Sequence, residues 1–235
     1  MSFRNFSSVG VVKAVVTRGN GGFEQLAEHL SLGLINKGHE VFVYNSSKHP
    51  YKEKQWNGVN IIHCSDPEKT LGTFGQFIYD FNCILDSRKR MFDSILNLGY
   101  TSSSVWMRLF SKKVKVLTNM DGMEWKRSKY SNKVKFFLKH AERWAVKRSN
   151  VLVADSIAIQ KYLNEKYKVN SEFIAYGAEI FDRPDETVLN QFDIKPLGYN
   201  MLIARMEPEN NLEKIIFQIF QKFKIQNHLL LMFQL

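Results

Sequence analysis

The feature that most constrains this chain is a change of hydrophobic period that recurs along most of its length. "VVKAVV" (Val11 to Val16) is a short apolar run suited to a buried strand. "FEQLAEHLSLGLINKG" (Phe23 to Gly38) then places Phe23, Leu26, Ala27, Leu30, Leu34 and Ile35 at helical spacing before a terminating glycine. "EVFVYN" and "GVNIIHC" read as strands, Leu71 to Arg90 as a long helix, "FDSILNLG" as a strand, Ser102 to Phe110 as a short helix and "VKVLT" as a strand. After a polar cluster come an amphipathic helix, the strand "NVLVAD", a helix to Tyr167 with Ser156 as its N-cap, and the strand "SEFIAYG". Strands alternating with helices in this way predict an α/β fold, a doubly wound parallel sheet with helices on both faces.

A turn-rich stretch, "FDRPDETVLNQFDIKPLGY", interrupts the alternation and precedes a fresh strand, "YNMLIA", with a helical stretch after it. The expected organisation is a Rossmann-like domain over residues 1–181, a linker over 182–198, and the start of a second such domain over 199–235. With 235 residues, the chain has room for one substantial core or one domain and part of another.

In open α/β sheets ligands gather beyond the carboxyl ends of the strands, and three clusters fall there. "TRGNGGFE" (Thr17 to Glu24) is a glycine-rich turn into a helix, where main-chain N–H groups can hold an anion; glycines serving only a tight turn are the alternative. Gly21 and Gly22 are its candidate phosphate contacts and Arg18 a candidate substrate contact. "NMDGMEWKRSKY" (Asn119 to Tyr130) puts Asp121 and Glu124 beside the flexible Gly122, as candidate catalytic carboxylates. Trp125 offers a flat apolar face for a sugar ring, and Lys126 and Arg127 suit a phosphate. In the alternative reading the acids complement a helix terminus and Trp125 is core. "ARMEPENN" (Ala204 to Asn211) offers Arg205 for a bidentate grip on a diphosphate and Glu207 for hydroxyls or helix capping.

Charge is concentrated rather than spread. Formal net charge is +10, and between Lys126 and Arg148 nine bases face the single acid Glu142. The helix from about Ser131 to Arg148 is expected to bury Val134, Phe137, Leu138, Ala141 and Trp144, turning Lys133, Lys135, Lys139, Arg143 and Lys147 outward together. Such a face attracts phosphates, with an anionic membrane surface as one expected partner, or is simply a solvated helix surface. No run approaches the ~20 apolar residues of a membrane span. Cys64 and Cys83 lie far apart in sequence without metal-ligand spacing, which suggests a reduced, cytoplasmic setting. His39 and His49 read as structural, and no metal or cofactor is expected.

"TRG…GGFE", "KGHEVFVYN", "NMDGMEWKRSKY", "ADSIAIQKYL", "AYGAE" and "RMEPENN", in this order, resemble the bacterial rhamnosyltransferase-type retaining glycosyltransferases of the two-domain GT-B fold. The likeness runs from about Val15 to Leu212. It implies transfer of a deoxyhexose, typically rhamnose from a thymidine-diphosphate donor, onto a lipid-linked glycan in surface polysaccharide synthesis. A nucleotide sugar and a lipid-linked glycan acceptor are the implied partners, with donor bound mainly by the second domain, acceptor by the first, and no required metal. The same resemblance places "DGMEWKR" on the first domain's wall of the interdomain cleft.

Two departures bear on those expectations. The loop between Gly19 and Gly21 is shorter than in such enzymes, which puts binding by that loop in doubt. After Leu212 the sequence "EKIIFQIFQKFKIQNHLLLMFQL" leaves the family pattern. The chain is therefore expected to hold a truncated second domain and to be inactive alone, with a non-catalytic remnant that binds acceptor or membrane as the other reading. Nucleic-acid binding through the basic helix would rest on charge alone, without a recognisable RNA-binding or helix-turn-helix signature, and nucleic acid is not an expected partner.

Overall fold

The computed structural model describes residues 8–12, 22–120, 122–178, 180, 182, 185–204, 208–223 and 229–232. The chain divides into two compact units, Met1–Lys126 with Ser131–Tyr176, and Arg127–Tyr130 with Gly177–Leu235.

The first unit opens with β1 (Ser8–Val12), α1 (Gly22–Asn36), β2 (Glu40–Ser46), β3 (Gln55–Trp56) and β4 (Val59–Cys64). It continues through α2 (Glu68–Leu71), α3 (Thr73–Ser87), β5 (Ser94–Leu98), β6 (Lys115–Asn119) and α4 (Asn132–Arg148). It closes with β7 (Val151–Ala154), α5 (Ile157–Tyr167) and β8 (Glu172–Phe173). These strands form one sheet in the order β3-β4-β2-β1-β5-β6-β7-β8, parallel throughout except for the β3–β4 hairpin. The chain builds outward from β1 to β4, then crosses back to β5 and builds the other way. This is the doubly wound arrangement, with its switch point between β1 and β5.

Period-2 alternation in the strands serves both faces. On one, Val41 and Val43 of β2, Val59 of β4 and Leu98 of β5 pack with Ala27 of α1. On the other, Tyr44, Ile95, Val116 and Leu152 pack with Tyr79, Cys83 and Ile84 of α3, Ala141 and Ala145 of α4, and Leu163 of α5. Cys64 joins this second core as well, so the two thiols that are distant in sequence are brought together in it. Burial pushes the Cys83 thiol up, while its hydrogen bond lowers Cys64. Ser131 and Ser156 cap α4 and α5, their side chains accepting from Val134 N and Ile159 N. Each such cap contributes about 1 kcal/mol.

Several elements differ from the sequence expectation. β1 begins at Ser8 rather than Val11, and positions 13–16 lie outside the described residues. The expected single helix from Leu71 to Arg90 is two helices, because Gly72, at φ 55°, leaves the helical region and ends α2. Ser102 to Phe110 forms two 3-10 turns, Ser103–Val105 and Met107–Leu109, instead of one helix. "SEFIAYG" contributes only the two residues of β8.

The α2–α3 corner depends on a close approach. A Cβ added at Gly75 would lie 2.4 Å from Glu68 Cα and 2.5 Å from Glu68 N, both backbone atoms that cannot swing away. Gly75→Ala is expected to cost about 2–3 kcal/mol in urea unfolding, at the upper part of the overpacking range. Gly33→Ala in α1, where a Cβ meets nothing within 4 Å, serves as the control and should stabilise by ~0.5–1 kcal/mol. Equal behaviour of the two variants would show that the corner can relax.

The second unit holds a 3-10 run over Glu186–Phe192, β9 (Asn200–Ile203), α6 (Leu212–Phe223) and β10 (Leu229–Met232). β10 pairs in parallel with β9, making a βαβ unit from a tail that sequence reading took only as far as its helix.

Candidate functional site

The carboxyl end of β6 leads into the loop that carries most of the candidate residues. Met120 is buried at the strand's end; Asp121 lies outside the described residues, as do Arg18, Gly21, Arg205 and Glu207. Gly22 is described and opens α1. Beyond Gly122 the chain makes one 3-10 turn, Glu124–Lys126, with Glu124 N donating to Gly122 O (2.7 Å) and Lys126 N to Met123 O (2.8 Å). Glu124 and Trp125 are half-buried on this turn and Lys126 is exposed. Arg127, also half-buried, belongs to the second unit.

What holds the turn was not visible in the sequence. Trp125 donates through Nε1 to Glu142 Oε2 of α4 at 3.1 Å, and Glu142 is only 2% exposed. Its other oxygen accepts from Tyr162 OH (2.7 Å), Tyr167 OH (2.6 Å) and Lys166 Nζ (2.8 Å), all from α5. A buried carboxylate is costly unless its lone pairs are filled, and four donors fill them. Lys166 also donates to Tyr162 OH at 2.5 Å and lies over the rings of Trp125, Tyr162 and Tyr167. Burial alone would lower the Lys166 ammonium, but its hydrogen bonds to Glu142 and the two tyrosines outweigh that and raise it. Burial and the Glu142 carboxylate push the Tyr167 phenol up to about 12.

This cluster changes how two expectations read. α4 buries only part of the expected stripe: Leu138 and Ala141 are inside and Phe137 packs against the core, but Val134 and Trp144 are 40% and 37% exposed, and Glu142 and Ala145 are buried beside Ala141. The one acid of the helix shares the inward stripe with Leu138, Ala141 and Ala145, where it meets the α5 donors. Trp125, for its part, has its N–H committed to Glu142, and the ammonium groups of Lys126, Lys139 and Lys166 lie over its ring at 5.5, 4.8 and 5.1 Å from the centroid. These contacts tie the turn that carries Glu124 and Lys126 to α4 and α5.

A second group of residues at the strand ends escaped sequence reading. Asn45 of β2, Asn97 of β5 and Asn119 of β6 are all essentially buried. Asn97 Nδ2 donates to Ser103 Oγ (2.9 Å), but both amide atoms of Asn45, and the Oδ1 atoms of Asn97 and Asn119, have no protein hydrogen-bond partner. Nearby, Ser102 Oγ donates to the buried Asp80 Oδ2 of α3 at 2.5 Å. Leaving a buried amide unsatisfied costs about 1–3 kcal/mol, so these three are polar groups at the carboxyl ends of the strands whose remaining partners the described residues do not supply. Their signal in the sequence was an asparagine near the end of each of three apolar strands. Among the described residues, no group of histidine, cysteine, aspartate and glutamate side chains is arranged to hold a metal ion.

Residues 12–179 match the profile of the family described as "Domain of unknown function (DUF1972)". The chain belongs to this family. The DUF1972 match runs from the last residue of β1 past β8, so it takes in the strand-end loops of the first unit. No curated protein matches the chain. Among solved structures it is similar to a sucrose-phosphate synthase from Thermosynechococcus elongatus, at 12% identity and a TM-score of 0.47, over 72% of this chain and 87% of that one. That likeness is too distant to transfer an activity or a residue role.

Proposed function

We propose that this DUF1972 chain works in sugar transfer, as a retaining glycosyltransferase that moves a deoxyhexose, rhamnose from a thymidine-diphosphate donor, onto a lipid-linked glycan. The observation that carries the reading is the turn after β6, where Glu124 and Lys126 are held in place from below by the buried Glu142. A carboxylate and an ammonium on one fixed turn at the carboxyl end of a doubly wound sheet suit a polyhydroxylated, phosphorylated substrate, and fixing them beforehand is what transition-state stabilisation requires. The sequence resemblance to rhamnosyltransferase-type enzymes supplies the donor and acceptor class.

In this reading Asp121 and Glu124 act on the reacting sugar, as base or as hydrogen-bond acceptors. Main-chain N–H groups at Gly21 and Gly22, together with Arg205, meet the diphosphate, and Glu207 meets donor hydroxyls. Arg18, Trp125, Lys126 and Arg127 line the substrate path. The reaction needs no metal, and it takes place at the cytoplasmic face of an anionic membrane, where a lipid-linked acceptor would sit. No helix among the described residues is long and apolar enough to cross a membrane.

Saturation-transfer NMR of the chain with thymidine-diphosphate-rhamnose, its uridine and guanosine counterparts, and a lipid-linked glycan in detergent tests the reading. Signal transfer to the glycan and to the thymidine-diphosphate sugar in preference to the others is the expected result. Absence of signal from every nucleotide sugar and from the glycan overturns it.

A further inference from the structure

With Glu142 buried among Leu138, Ala141 and Ala145, α4 carries an unusual surface on the outside. Phe136 is 66% exposed, and its ring lies 4.3 Å from His140, which lies 6.1 Å from Trp144. Trp144 continues to Phe137 (6.3 Å), Phe77 of α3 (5.7 Å) and Phe74 (6.1 Å), the last 64% exposed. A continuous ridge of aromatic rings thus runs from α4 to the start of α3. Phe136, Trp144 and Phe74 are its exposed members, and the half-buried His140, Phe137 and Phe77 join them; scattered exposed apolar residues are ordinary, but exposed rings joined in this way are not.

Bases interleave with the ridge. Lys133, Arg143, Lys147 and Arg148 are exposed, and none of them is in a salt bridge with another of the described residues. The only acid on α4, Glu142, is buried and taken up by Trp125, Tyr162, Tyr167 and Lys166, so it cannot neutralise them. Aromatic rings with one wet edge, surrounded by unpaired cations on the same helix face, match the layering of a bilayer surface, in which anionic phosphates overlie apolar chains. A soluble protein partner would need both an acidic rim and an apolar centre; an anionic lipid surface supplies both with no specific fit.

We propose that the ridge from Phe136 through Trp144 to Phe74 is a membrane-docking surface, its rings entering the headgroup layer while Lys133, Arg143, Lys147 and Arg148 meet anionic lipid phosphates. The proposal gives a place to the membrane surface assumed for the acceptor, and in that sense rests on the functional reading. Vesicle binding is measured without donor or acceptor, however, so loss of either result leaves the other standing.

The experiment is co-sedimentation of the full chain with vesicles of phosphatidylcholine alone and of phosphatidylcholine mixed with phosphatidylglycerol. Binding to the mixed vesicles at ~0.1 M salt should exceed binding to neutral ones by about tenfold or more. A Lys133→Gln, Arg143→Gln, Lys147→Gln triple variant should lose at least about tenfold of that binding. Phe74→Ser with Phe136→Ser should still bind at low salt but come off fully near ~0.5 M salt, where the native chain keeps a resistant fraction. All five positions are outside the core, so thermal melting of the variants should stay close to that of the native chain. Quenching of Trp144 emission by brominated lipid, lost in Trp144→Phe, reports ring insertion directly. Equal binding to neutral vesicles, binding untouched by the triple variant, or burial of the ridge by self-association without lipid would each overturn the proposal.

Discussion

Glu142→Ala is expected to lower the free energy of unfolding by about 3–5 kcal/mol, the range for breaking a buried ionic pair from one side. The substitution strips the acceptor from four donors at once: Trp125 Nε1, Tyr162 OH, Tyr167 OH and Lys166 Nζ. Lys166→Met should cost less, because its side chain is 36% exposed and the remaining donors still serve the carboxylate. The double variant should cost less than the sum, since removing both charges leaves neither buried alone. A pH signature accompanies this. The Tyr167 phenol is raised to about 12 from 10.0 and Lys166 is raised above 10.5, so the folded state holds both protons more tightly than the unfolded chain does. Their contribution is fully present below those ordinary values and is lost as pH climbs from roughly 10 through the folded values. The native chain should therefore lose stability over that alkaline window, and Glu142→Ala should lack this part of the loss. A Glu142→Ala variant that unfolds within ~1 kcal/mol of the native chain would show that the cluster is incidental.

Glu124→Gln and Asp121→Asn should each lower sugar transfer about 100-fold or more if the carboxylates act on the reacting sugar. The loss should fall on kcat rather than KM, because an interaction made only in the transition state does not hold the ground state. Trp125→Phe separates presentation from substrate contact: it keeps an apolar ring but removes the N–H that reaches Glu142. If Trp125 works by fixing the turn, this variant should lose roughly 1 kcal/mol of stability and part of kcat. If it works as a sugar platform, KM alone should change. Reductions under threefold for both carboxylate variants would return Asp121 and Glu124 to duty at the turn itself.

The layered fold was legible because each strand and helix states its period locally. Alternation in "EVFVYN" and the spacing in Phe23 to Gly38 need no knowledge of the rest of the chain. The β3–β4 hairpin was legible too, though it was passed over: Asn57-Gly58 has φ of 47° and 84°, the positive pair that a tight two-residue hairpin turn uses. The burial of Glu142 on α4 was not legible, because hydrophobic patterning sends every charged residue outward by default, and the donors that meet it come from α5 and from Trp125. The hint lay in α5, where Tyr162 and Lys166 stand one helical turn apart and Tyr167 ends the helix. Gly75 was opaque for a similar reason, since nothing local says that Glu68 passes within contact of it. The three buried asparagines sit in strands that were read correctly, but an amide's lack of a partner is a property of tertiary packing.

The large sheet ends at both sides in strands of two residues, β3 and β8. Strand edges present rows of unsatisfied main-chain donors and acceptors that recruit other chains, and stubs this short offer almost no template. Growth of the sheet by adding a partner's strand is thereby discouraged, both in normal assembly and in the partly unfolded forms from which fibrils start. A partner of the first unit then finds helices and loops rather than a strand template at this sheet, and the sheet's resistance to edge-on growth should survive mutations that weaken its core.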